Sequence, residues 1–116
     1  MKINHRQQNK VEIFELDGEV DFHSSPELRE KLQVSVQKQA DKILVSLKKV
    51  RYIDSSGLAT FVEALQKIKR YNGLLVLSEL APAVLSVFEI AKLDGVFSLA
   101  HSEEEAQALL SRNGNA

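Results

Sequence analysis

The chain contains no cysteine and no tryptophan, and only two prolines and one methionine, in 116 residues. Without cysteine there is no disulfide framework, no thiolate metal site and no cysteine nucleophile, and the absence fits a reducing, cytoplasmic setting. An excess of either charge is also missing: 15 Lys and Arg stand against 16 Asp and Glu, a formal net charge of −1. No basic field is present to hold nucleic acid or an anionic membrane, so neither is an expected partner. Apolar runs such as GLLVL are short, far below the roughly 20 residues of a bilayer span, so no membrane insertion is expected. The opening stretch MKINHRQQNK has charges with no apolar segment behind them and does not read as a secretory signal. His5, His23 and His101 lie too far apart in the chain for metal-ligand spacing, so no metal site is expected.

Apolar residues make up 44% of the chain, enough at this length for one domain with one core. VEIFEL (11–16) alternates apolar and polar residues, the period of a strand with one buried face, and Asp17-Gly18 reads as a turn or bulge. The first ten residues supply a candidate partner strand. Ser25 as N-cap with Pro26 at the first helical position, or Ser24 with Glu27 as a capping box, opens a helix with Leu28, Leu32 and Val36 on one stripe. KILVSL (42–47) and LLVL (74–77) have the look of strands buried on both faces. Between them the spacing predicts a helix over 56–71. Leu58, Phe61, Val62, Leu65 and Ile68 form its buried stripe, Thr60, Glu63, Lys67 and Arg70 lie on the other side, and Asn72-Gly73 ends it.

Pro82 opens a further helix with Val84, Val87, Phe88 and Ala91 on one stripe, and VFSL (96–99) is a candidate last strand. Ser102 with Glu105 forms a capping box before a terminal helix. The alternation of strands and helices implies a single α/β domain over 1–112, with a mixed sheet of four or five strands and about four helices. Residues 113–116 are expected to be a disordered tail.

The stretch YIDSSGL (52–58) falls between a buried strand and a helix, in a loop at the carboxyl end of the strand, which is the functional edge of such sheets. Either Asp54 or Ser55 can cap the helix, Gly57 permits close approach, and the remaining serine projects from the first turn. Capping alone accounts for these residue types, since Ser and Asp are among the preferred caps. A catalytic reading finds little support. The first glycine of a G-x-S-x-G elbow is missing, no histidine has the context of a general base, and there is no phosphate-binding glycine loop. Carboxylate pairs such as Asp54 with Glu79 or Asp21 can be drawn, but solvated charges explain them better. No enzyme activity and no cofactor are expected.

YIDSSGLATFVEAL resembles the signature of the STAS domain, and in particular of the bacterial anti-sigma factor antagonists. LDGEVDFHSSPELREKL resembles the segment that precedes that signature in the family, and GLLVLSELAPAVLSVFEIAKLDGVFSLAHSEEEAQALL its closing part. The resemblance implies a phosphorylated serine at Ser56, with Asp54, Ser55 and Gly57 as its neighbours and Asp21 beside it from the loop after the second strand. It also implies a partner, an anti-sigma factor serine kinase, with a phosphatase as the opposing enzyme. The protein would bind the kinase when unmodified and be released by phosphorylation. The phosphate is expected to meet free N–H groups at the helix start, so that the domain stays folded and the effect falls on the partner. A second reading makes the same loop a docking surface of a transporter subunit or signalling scaffold with no phosphate chemistry. One departure from the family pattern is SELAP, where many relatives carry glycine or asparagine near Glu79.

Overall fold

The computed structural model describes residues 1–114. Its strands are β1 (Lys2–Gln8), β2 (Val11–Val20), β3 (Lys42–Ile53), β4 (Leu74–Ser78) and β5 (Ser98–Ala100). Its helices are α1 (Ser25–Gln37), α2 (Ser55–Lys69), α3 (Pro82–Ile90) and α4 (Glu103–Gly114). The five strands form one sheet in the order β1-β2-β3-β4-β5, with β1 antiparallel to β2 and every other pair parallel. The mixed α/β architecture is therefore as expected. α4 continues two residues into the stretch read as a tail, and the rest of that stretch, 115–116, lies outside the described residues.

β1 and β2 are joined by a two-residue turn in which Asn9 and Lys10 both take positive φ, 55° and 66°, the arrangement that suits a tight hairpin. Asp17-Gly18 is a bulge rather than a turn. The β2–β3 register slips on both sides of it, and the strand runs on to Val20. Residues of β3 and β4 alternate between two cores. Ile43, Val45, Leu47, Leu75 and Leu77 face the side covered by α1, α2 and α3, while Leu44 and Val76 face α4 with Val11, Ile13, Ala106 and Leu110.

β2 is thus covered on both faces, not one, and Glu12 is buried within it. Its carboxylate has partners: His5 Nε2 lies 2.8 Å away and Ser35 Oγ 3.4 Å. Arg6 on β1 joins the sheet to α4 through Glu103, at 2.8 and 3.0 Å.

On α2, Phe61, Leu65 and Ile68 are buried as predicted, but Leu58 and Val62 are only half-buried, and Gly57, Thr60 and Ala64 are buried instead. The supposed solvent side of α2 faces α1. Arg29 pairs with Glu63, and Lys67 Nζ donates to Gln33 at 2.9 Å. Both contacts join residues 34 positions apart, so the two helices lie side by side in parallel and in a fixed register. On α1 the expected stripe holds at Leu28 and Leu32, with Val36 half-buried. On α3 Val84 and Phe88 are buried, Val87 is half-buried and Ala91 is exposed beyond the helix end.

Candidate functional site at the carboxyl edge of the sheet

The loops after β2 and β3 lie next to each other because their strands pair in parallel as far as Val20 and Ile53. Asp54 is the first residue past β3 and caps α2. Its Oδ1 accepts from the N–H of Ser56 at 2.9 Å and of Gly57 at 3.1 Å. Its Oδ2 accepts from the N–H of Phe22, in the other loop, at 3.1 Å. One carboxylate therefore closes the helix end and ties the two loops together.

Gly57 is needed where it stands. A Cβ there would lie 2.6 Å from the carbonyl oxygen of Val20 and 2.7 Å from Ile53 Cγ1. The first turn of α2 is pressed against the ends of β2 and β3, as the close-approach reading required.

Asp21 is the first residue past β2, and among the described residues its carboxylate bonds within its own loop. Its Oδ1 accepts from His23 N at 3.0 Å, Ser24 N at 3.0 Å and Ser24 Oγ at 3.2 Å. The N–H of Ser24 foremost, with the Ser24 hydroxyl and His23 N–H, holds the Asp21 carboxyl below the usual carboxylate range. Ser24 is the cap residue of α1 but makes no side-chain cap bond, its hydroxyl donating to Glu19 O at 2.7 Å instead. Neither Ser25 nor the Ser24/Glu27 box caps the helix as the sequence pattern proposed. Pro26 in the first turn leaves one fewer N–H to satisfy.

The two serines differ. Ser55 is exposed, whereas Ser56 is half-buried in an open groove lined by Phe22, Ser25, Pro26, Ala59 and Thr60. Among the described residues neither hydroxyl makes a hydrogen bond, and Thr60 Oγ1 donates to the Ser56 carbonyl at 3.0 Å. Arg29 and Glu63 stand at the far end of this groove as a two-point ion pair, Nε to Oε2 at 2.7 Å and Nη2 to Oε1 at 2.7 Å. Arg29's hydrogen bonds hold the Glu63 carboxyl below its ordinary range.

The expected free N–H groups at the start of α2 are not all free. Asp54 takes those of Ser56 and Gly57, and Leu58 N donates to Asp54 O at 3.0 Å. A negative group on Ser56 would therefore stand beside a carboxylate that already occupies the cap.

Glu79, the first residue past β4, adopts φ +61°, a left-handed conformation that glycine and asparagine take most easily. No hydrogen bond joins Asp54 to Asp21 or Glu79 among the described residues. Sequence reasoning missed Phe22 and the Arg29–Glu63 pair. The signal available was an aromatic residue in a strand-to-helix loop, where nothing in the pattern calls for burial.

Among the described residues no helix is long and apolar enough to cross a membrane. The STAS domain family model matches residues 2–106. Over 97 residues the chain is 33% identical to the anti-sigma-B factor antagonist of Bacillus subtilis strain 168, covering 84% of this chain and 87% of that protein. Two solved structures share the fold. An anti-sigma factor antagonist from Mycobacterium paratuberculosis superposes with a TM-score of 0.88 at 19% identity, covering 95% of this chain and 93% of that one. The phosphorylated form of SpoIIAA, the Bacillus cell fate determinant, superposes with a TM-score of 0.74 at 22% identity, covering 92% and 97%. With a DSSGL segment opening α2 at this sheet edge, the chain belongs to the STAS domain family, among its anti-sigma factor antagonists.

Proposed function

We propose that this protein is a non-catalytic phospho-switch that acts in the cytoplasm. Unmodified, it binds an anti-sigma factor serine kinase and so keeps a sigma factor free, and phosphorylation of Ser56 releases it until a phosphatase restores the hydroxyl. The observation that carries the reading is the Ser56 side chain: an unbonded hydroxyl, held at the start of α2 in a groove between two loops that Asp54 ties together. Its relatives bear the name of antagonist, and one structural neighbour is described in a phosphorylated form. Ser55, Asp54, Gly57 and Asp21 are neighbours of the modified residue and contribute to docking.

A phosphate adds about −1.5 to −2 charges and three acceptor oxygens. Beside the Asp54 carboxylate it meets like charge, and a docked partner would have to desolvate both. Each 1.4 kcal/mol of that cost is about a tenfold loss of affinity. The domain is then a substrate and a ligand.

Incubation with ATP and the anti-sigma factor kinase of the same organism, followed by fragment mass spectrometry, should place one phosphate on Ser56. In pull-downs Ser56→Ala should stay bound in the presence of ATP, Ser56→Asp should bind weakly, and Ser55→Ala should bind slightly less while still accepting phosphate. Phosphate on Ser55 alone, or full-strength binding by Ser56→Asp, would refute the assignment.

A further inference from the structure

We infer that Phe22 is the apolar anchor of the kinase interface, seated in a cup of the partner whose border is basic. This rests on the reading of Ser56 as the residue the kinase modifies. Phe22 is a large apolar side chain 71% exposed to solvent, yet it does not hang on a loose loop. Its N–H is held by Asp54 Oδ2, and its ring packs edge-on to His23 with centroids 5.8 Å apart. The Asp54 carboxylate that caps α2 also holds the Phe22 N–H, and Phe22 and Ser56 line the same groove.

A protein that brings a reacting group to Ser56 Oγ therefore covers the ring. Burying a phenyl side chain removes apolar area from water at little conformational cost when the backbone is already fixed. Aromatic residues in this situation account for a disproportionate share of interface energy.

The charge on the two flanks of Phe22 selects the partner. On the Ser56 flank the charges of Arg29 and Glu63 cancel, which leaves Ser25, Pro26, Ala59 and Thr60 around the serine. Beside the other face of this loop Glu19, Asp21 and Glu27 line a second hollow with His23 and with Met1, whose amino terminus offsets one of the three acids. Its one Arg, Arg51, is shared with Asp17 at 3.6 Å. The matching surface has an uncharged face against the groove and lysine or arginine against this acidic flank, the arrangement that steers docking and sets its orientation. The nucleotide phosphates of the kinase then approach Ser56 from the uncharged side.

The test is binding of purified variants to the anti-sigma factor kinase of the same organism, by calorimetry in the presence of ADP. Phe22→Ala should weaken binding roughly 10- to 100-fold with an unchanged thermal melt, Phe22→Tyr should stay within about threefold, and Glu27→Lys should weaken binding several-fold. Ile90→Ala, which removes the 83% exposed side chain at the end of α3, should bind as the native chain does. Native-strength binding by Phe22→Ala, with Ser56 still phosphorylated and Ser56→Asp still released, would overturn the anchor and leave the switch standing. Equal losses in Phe22→Ala and Ile90→Ala would also overturn it. If the native chain neither binds the kinase nor is phosphorylated by it, both readings fall.

Discussion

Asp21, Asp54 and Glu79 occupy equivalent places, each the first residue beyond a parallel strand, and they do three different things. Asp21 folds its own loop through Ser24 and His23 and leaves α1, which starts on Ser25 with Pro26 second, without a side-chain cap. Asp54 caps its own helix and reaches across to the Asp21 loop. Glu79 caps nothing. Its N–H joins Ala100 O at 2.8 Å, its backbone sits in the left-handed region, and α3 starts on Pro82 behind Ala81. The difference lies in which N–H groups come within reach of an acid placed at a strand end. Where the helix begins at the very next residue and a neighbouring loop crosses over, one carboxylate can serve both. Where a proline opens the helix, there is less to cap.

The comparison breaks most severely at Gly57, which lets the Asp54 unit close. Gly57→Ala forces a Cβ onto the backbone of Val20, so α2 must retreat, and urea unfolding should show a loss of roughly 3 kcal/mol. Asp54→Ala comes next, at about 2 kcal/mol. It should also accelerate hydrogen exchange at three amides together: Ser56, Gly57 and Phe22. Asp21→Ala should destabilise less and leave the Ser56 and Gly57 amides protected. Equal losses for the two aspartates would erase the distinction between them.

Proton titration sharpens the contrast further. The native Asp21 carboxyl titrates below the ordinary aspartate value, which is about 3.9 when unfolded. Its stabilisation is therefore fully present above that value and is lost as pH falls through the depressed native one. Between pH 5 and pH 2.5, Asp21→Asn should lose less stability than the native chain, and a carboxyl titration followed by NMR would read the shift itself.

The smallest effect is expected at the third acid. Glu79→Asn should stabilise by about 0.5–1 kcal/mol, because asparagine tolerates left-handed φ better than glutamate. A thermal melt with no gain would mean that the Glu79 side chain compensates for its backbone. The SELAP segment, read from the sequence as a departure from the family pattern, thus coincides with a left-handed backbone at Glu79.

The strands and helices and the mixed character of the sheet were largely readable because each element carries its own period, and DSSGL could be placed at a strand-to-helix edge, whereas the order of the strands came only with the fold. What escaped was contact between elements distant in sequence. Thr60, Glu63 and Lys67 read as a polar face, and polar faces usually meet water. Here they meet α1, and only the pairing with Arg29 and Gln33 reveals it. Glu12 read as the outward residue of an alternating strand because its partners, His5 and Ser35, lie on separate elements. Both Asp54 and Ser55 were suitable caps. The structure gives the cap to Asp54, whose Oδ1 takes the Ser56 and Gly57 N–H groups while its Oδ2 takes an N–H from the neighbouring loop.

The constant spacing of 34 between paired residues of α1 and α2 has a consequence for chain length. A residue inserted between Arg29 and Gln33, or between Glu63 and Lys67, turns everything beyond it by about 100°, so the Arg29–Glu63 and Gln33–Lys67 contacts could not both survive. Residues added in the connection between α1 and β3 leave the internal count of both helices untouched. Insertions and deletions among homologues should therefore collect outside these two helices, while the groove beside Ser56 diversifies by substitution alone.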